Sequence, residues 1–176
     1  PELRLASNHT VVGRLNPLGL IYFSRLSFRV QLYESDSPVA KDNFFGIGVA
    51  PSASPAFARG GILLELQPLS VLQIWATYEA IGYFGTFEFF QSFPGVTANW
   101  SDSELDRLSE QADGAPTKSY ATTGTQFNAG TRLQAKVGPV AARNLTRLSR
   151  PNFDLREGDR TFYDPIFDVL DRKSVV

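Results

Sequence analysis

Seven charged side chains fall on alternate positions of otherwise weakly charged stretches: Arg25, Arg29, Arg59, Glu65, Glu79, Arg132 and Lys136. Five are cations and two are carboxylates. Gathered on one wet surface, they would bias it toward small anions, as rings of Arg or Lys do in anion pores. The same residues could instead bridge one another into a polar filling that conducts nothing.

Material for other chemistry is sparse. There is no Cys, hence no thiol nucleophile and no Cys-based metal site, and His9 is the only imidazole. Ser7 lies two residues from it, and Ser24 and Ser27 sit on an expected strand, but no spacing makes them converge. No catalytic residue is assigned and an enzyme is not expected; the deciding observation is whether His9 reaches a Ser or a carboxylate. Glu65 and Glu79 could work as an acid/base couple across neighbouring strands, but a salt bridge with Arg59 is the expected role. Asp154-Leu155-Arg156-Glu157-Gly158-Asp159 places three carboxylates around a glycine without EF-hand spacing, so it reads as a polar turn. Neither a metal nor a cofactor is expected.

These charges need strands to position them. From Tyr22 to Leu32, Tyr22, Ser24, Leu26, Phe28, Val30 and Leu32 alternate with Phe23, Arg25, Ser27, Arg29 and Gln31, a period of two. Asn43–Ala50, Phe57–Gln67, Val71–Ala80 and Tyr120–Val137 continue the pattern, with turns at Pro68 and at Gly138-Pro139. Val140–Ser149 is a weaker sixth strand, with Arg143 and Arg147 on one side and Leu145 between them. Residues 3–14 and 161–170 are poorer candidates still. Residues 82–119 form a long insert: an aromatic part (Tyr83, Phe84, Phe87, Phe89, Phe90, Phe93), then a short helix opened by the capping pair Ser101 and Glu104 and ending near Asp113-Gly114. A connection of that length is expected to be functional or mobile, to bind a hydrophobic ligand, to plug the interior or to pack on the rim.

Across the five better strands, the apolar registers hold 28 positions and no Asp, Glu, Lys or Arg, whereas the opposite registers hold 26 positions and all seven charges. A soluble sandwich or lipocalin-like ligand-binding module would turn the apolar register inward. A transmembrane barrel reverses the sense: Leu26, Phe28, Val30, Ile62, Leu64, Ile74, Phe127 and Leu133 would face lipid, and the charges would line the lumen. Three features favour lipid. The Tyr120 strand far exceeds the usual five or six residues, and tight turns stand on one side against a long insert on the other. Aromatics also gather near strand ends (Tyr22, Phe23, Tyr33, Phe44, Phe45, Phe57, Tyr78, Tyr83, Tyr120), as in an interfacial girdle.

Composition agrees with that medium. A chain of 176 residues is one domain by length, and 17 Lys+Arg against 18 Asp+Glu give a net charge of −1, so no basic field points to nucleic acid. Mean hydropathy is −0.14 and no apolar run approaches the roughly 18 residues of a transmembrane helix, but a transmembrane strand needs only about 9 to 11 alternating residues. The chain opens at Pro1 without a basic-plus-apolar leader, as expected of a trimmed or mature form.

The strings Arg14-Leu15-Asn16-Pro17-Leu18-Gly19-Leu20, Ser54-Pro55-Ala56-Phe57, Gln67-Pro68-Leu69-Ser70, Lys136-Val137-Gly138-Pro139 and Phe162-Tyr163-Asp164-Pro165 resemble the amino-terminal part of uncharacterised outer-membrane β-barrel proteins of Gram-negative bacteria, over residues 14–170. The resemblance implies a location and a fold and transfers no catalytic residue. The ending Arg172-Lys173-Ser174-Val175-Val176 departs from the terminal aromatic strand such barrels use. The expectation is therefore an all-β, antiparallel up-and-down transmembrane barrel over residues 1–176, or a fragment of a larger one, since a full barrel needs at least eight strands. It would be a passive, porin-like channel or a structural barrel of the bacterial outer membrane. Its expected partners are membrane lipid and small solutes or anions, with no nucleic acid.

Overall fold

The computed structural model describes residues 2–15, 18–85, 90–112, 115, 118–164 and 169–172. The fold is antiparallel and all-β with one short helix. Its strands are β1 (Leu3–Leu15), β2 (Leu18–Val30), β3 (Phe44–Val49), β4 (Ser52–Ala53), β5 (Phe57–Leu69), β6 (Leu72–Tyr83), β7 (Ser92–Phe93), β8 (Thr122–Val137), β9 (Val140–Phe153), β10 (Thr161–Asp164) and β11 (Val169–Arg172), with α1 (Asp102–Ser109) after β7. The main sheet runs β1-β2-β3-β5-β6-β8-β9, and β4 continues the position of β3 between β2 and β5. It rolls into a small barrel: β1 and β9, at the two ends of that order, border the same interior cavity. Seven strand positions make β1 and β9 run in the same direction, and no ladder joins them among the described residues.

Local chemistry accounts for the hairpins. Gly138 takes φ 59° ahead of Pro139, so β8 and β9 close from Val137 to Val140 through a two-residue turn that needs a glycine at its first position. The β5 ladder does not stop at Pro68. It continues to Leu69 through a register shift after Leu66, and the turn lies at Ser70-Val71, because a bulge absorbs the proline's missing donor. β1, the poorest candidate by pattern, pairs with β2 without interruption from Leu3↔Val30 to Leu15↔Leu18.

Where it is described, the 161–170 candidate does not extend the barrel. β10 and β11 join β7 in a separate three-stranded sheet above the ends of β6 and β8. There Phe57, Ile81, Tyr83 and Phe153 from the barrel strands meet Phe90 and Phe162 in a dry cluster, with ring centroids 4.9–5.6 Å apart. Leu108 of α1 packs with Phe93 and Tyr163 beside it. The insert thus caps one barrel end.

Three local expectations need correction. Ser101 is the N-cap of α1 but makes no side-chain cap bond: its Oγ lies against Ser103 Oγ at 3.3 Å, its N–H donates to Asn99 Oδ1, and Glu104 is held by Arg107 at 2.6–2.9 Å. The helix stops at Ser109, short of Asp113-Gly114, which lies outside the described residues, as do Phe87 and Phe89. The long insert shares its end of the barrel with the short β1–β2 and β4–β5 connections, while residues 31–43 form a longer loop at the opposite end, so tight turns do not mark one side only.

Candidate functional site

The pleat sends alternate side chains to opposite faces, and cross-strand pairing keeps each set together. The concave set contains Arg25, Ser27 and Arg29 of β2, Arg59 and Glu65 of β5, Gln73, Trp75, Thr77 and Glu79 of β6, and Asn128 and Arg132 of β8. Six of the seven charges singled out in the sequence therefore share one interior. Lys136 does not. β6 begins opposite Leu133, so Lys136 stands three residues beyond the wall, exposed beside the β8–β9 turn.

Two polar clusters stand on the interior wall. In the first, Glu65 is 2% exposed and accepts from Ser27 Oγ at 2.8 Å, Arg29 Nη2 at 2.8 Å and Nε at 3.1 Å, and Gln73 Nε2 at 3.0 Å. In the second, Arg59 and Glu79 approach to 3.7 Å, both side chains 7% exposed. Asn128 donates to Thr77 Oγ1 and Glu79, while its Oδ1 accepts from Arg147 Nη2 at 2.8 Å and Ser149 Oγ at 2.8 Å. Arg59 meets Glu79, and Glu65 meets Arg29, so the two carboxylates are separately committed and form no acid/base couple.

Aromatic rings carry the guanidinium groups. Arg25 lies over Trp75 at 4.6 Å, Arg29 over Phe44 at 4.2 Å, and Arg59 over Phe23 at 5.6 Å. Trp75 can lie flat because its cross-strand partner is Gly130, where an added Cβ would stand 2.6 Å from the indole. These placements correct the girdle expectation. Phe23 and Phe44 face inward beneath arginines, Phe57 and Tyr83 are buried in the cap, Tyr120 is half-buried against Phe90, and Tyr78 lies mid-strand. Tyr22, Tyr33 and Phe45 are exposed.

The convex register is the reverse. Phe28 is 54% exposed, Ile62 59%, Leu64 44%, Ile74 41%, Phe127 47% and Leu133 50%, and Leu26 and Val30 are half-buried. The apolar face thins out on β9, where Asn144, Thr146 and Arg150 share the outer register with Leu148, while Arg143, Leu145 and Arg147 turn inward. On β1 the outer register carries His9, whose Nδ1 lies 2.7 Å from Tyr22 Oη and 3.1 Å from Ser24 Oγ. The imidazole does reach a serine. Ser24 is 4% exposed, however, and neither contact of His9 is a carboxylate, so the trio ties β1 to β2 instead of presenting a nucleophile.

Asp154 and Asp159 face different partners, Thr123 Oγ1 and Ser92 Oγ, across a turn in which Gly158 takes φ 89°. No cluster of three His, Asp or Glu side chains suited to a metal occurs among the described residues. In the cap, Tyr120 Oη donates to Ser92 Oγ at 2.9 Å, and burial pushes its hydroxyl above the usual range. The sequence reading passed over Asn128, Gln73 and Trp75, although all three stand on the charged register. No protein-family model, curated protein or solved structure matches the chain.

Proposed function

We propose that this chain is a β-barrel of the Gram-negative outer membrane, or a fragment of one, with a polar interior and no enzymatic role. One observation carries the reading: the sheet is inside out. Buried ion pairs occupy its concave face, and exposed Phe, Ile and Leu side chains cover the convex face of β2 to β8. In water this arrangement leaves the driving force for folding unused, since exposed apolar area contributes nothing. In hydrocarbon it is the stable sense.

Strand length supports the same medium. β1, β2, β5, β6, β8 and β9 each run 12 to 16 residues, enough to cross a bilayer with tilt. No helix among the described residues is long and apolar enough to cross, and a barrel crosses with strands. A soluble ligand-binding module would want an apolar concave lining, which Glu65, Arg59, Asn128 and Arg29 do not provide. The aromatic cap over one mouth favours a structural or blind barrel over an open pore.

Dilution of the urea-unfolded chain into phosphatidylcholine vesicles tests this. The expected result is co-sedimentation with vesicles, a β-type circular dichroism spectrum and protease protection of β2 to β8. A folded, monodisperse chain that stays in the vesicle-free supernatant would overturn it.

A further inference from the structure

The interior charges do not balance. Arg25, Arg29, Arg132, Arg143 and Arg147 line one open cavity of about 630 Å³ in which Glu65 is the one carboxylate among the described residues. That carboxylate is already occupied: Arg29 takes one oxygen together with Ser27, and Gln73 takes the other. Arg147 is turned toward Asn128 and Ser149.

Arg25 and Arg132 form no salt bridge among the described residues. Arg25 places its guanidinium carbon 4.6 Å from the Trp75 ring centre, a contact that satisfies none of its N–H groups. Arg132 shares this corner with the like charges of Arg143, Arg25 and Arg29, and its Nε is buried without a hydrogen-bond partner among the described residues. A charged donor left unsatisfied in this way is costly. The arrangement is preformed for an acceptor that the protein does not supply.

We infer that the Arg25, Arg132 and Arg143 corner of the cavity is a binding site for a compact oxyanion, phosphate or a phosphoryl group on a small solute. Guanidinium forks match tetrahedral oxyanions in charge and geometry, and several converging forks bind a dianion more strongly than chloride. The cavity volume lies in the range of small-molecule sites, so a substituent on the phosphate fits as well. The inference rests on the wet interior of the proposed barrel, but its readout is ligand binding by the folded chain, independent of insertion.

The test is calorimetric titration of the folded full chain in zwitterionic micelles, or in buffer should it fold there, with inorganic phosphate at constant ionic strength set by chloride. A parallel titration uses glucose 6-phosphate against glucose. Saturable binding of one phosphate per chain is expected. Arg132→Gln and Arg25→Gln should each weaken it at least tenfold, Arg132→Lys should recover part of the loss, and Lys136→Gln should change nothing. Tighter binding of glucose 6-phosphate than of phosphate assigns the group to a solute; equal or weaker binding assigns the site to the free ion. Thermal unfolding provides the second arm: phosphate should raise the midpoint of the parent chain and leave that of Arg132→Gln unmoved. Absence of saturable binding by the folded parent chain, or equal affinities in Arg132→Gln and Lys136→Gln, would overturn the inference while leaving membrane insertion a separate question.

Discussion

Glu65 gathers four donor atoms from three side chains around a carboxylate almost shut off from solvent, and Arg29 is the only cation bound to it among the described residues. Removing one partner of a buried pair leaves the other uncompensated, at a cost of roughly 3 to 5 kcal/mol. Because Arg29 is 32% exposed, Glu65→Ala should fall at the lower end, about 3 kcal/mol, measured by urea unfolding in vesicles. Tyr120 gives a pH signature in the cap. Its hydroxyl is held neutral by burial, so its folded pKa is raised, and its contribution is complete below the unfolded value of about 10 and declines as pH rises past it. Near-ultraviolet circular dichroism of the cap should therefore loosen above about pH 10, and Tyr120→Phe should abolish that dependence while weakening the cap by about 1 kcal/mol. At this scale the sequence showed which side a charge would take, through simple alternation. It did not show that Arg59 would meet Glu79 and not Glu65, because the partner depends on register, and register depends on turns far from either residue.

Among the elements, β6 and β8 illustrate a glycine placed for its neighbour. Gly130 leaves room for the Trp75 indole, and Trp75 in turn supports Arg25. Gly130→Val should clash with both the indole and the Thr146 carbonyl of β9, strip the stack from Arg25 and destabilise the barrel by at least the roughly 1 to 3 kcal/mol of an overpacking change. Intrinsic fluorescence in a Trp100→Phe background reports Trp75 alone, and an unchanged emission maximum in Gly130→Val would contradict this role. The five better strands were legible because charge and apolarity alternate cleanly along them. β1 was not, because its outer register mixes Leu3, Leu5 and Val11 with Ser7 and His9, whose polarity is tolerated through the contacts of His9 with Tyr22 and Ser24. For β10, which lies within the poor candidate 161–170, the pairing was what could not be read. Its partner is the two-residue strand Ser92–Phe93 in the distant insert, and no local pattern announces so remote a pairing.

The molecule as a whole divides into two zones with opposite polarity. The barrel is polar within and apolar without, whereas the cap has an ordinary dry aromatic core. On the proposed reading only the barrel zone meets hydrocarbon. Ile62→Arg or Ile74→Arg, on the convex face, should lower vesicle insertion by about 2 to 4 kcal/mol, whereas Ser7→Arg near the barrel's unpaired edge should cost less. The chain has no cysteine, so single-cysteine variants carry a spin label at one known place. Labels at Phe28, Ile62, Ile74 and Phe127, compared with labels at Gln73, Gln126 and Lys136, measure directly which face meets lipid. In vesicles the first four should collide with oxygen and be shielded from a water-soluble nickel chelate, and the last three should not show that preference. Nickel accessibility at Phe28 and Ile62 equal to that at Lys136 would contradict the membrane account.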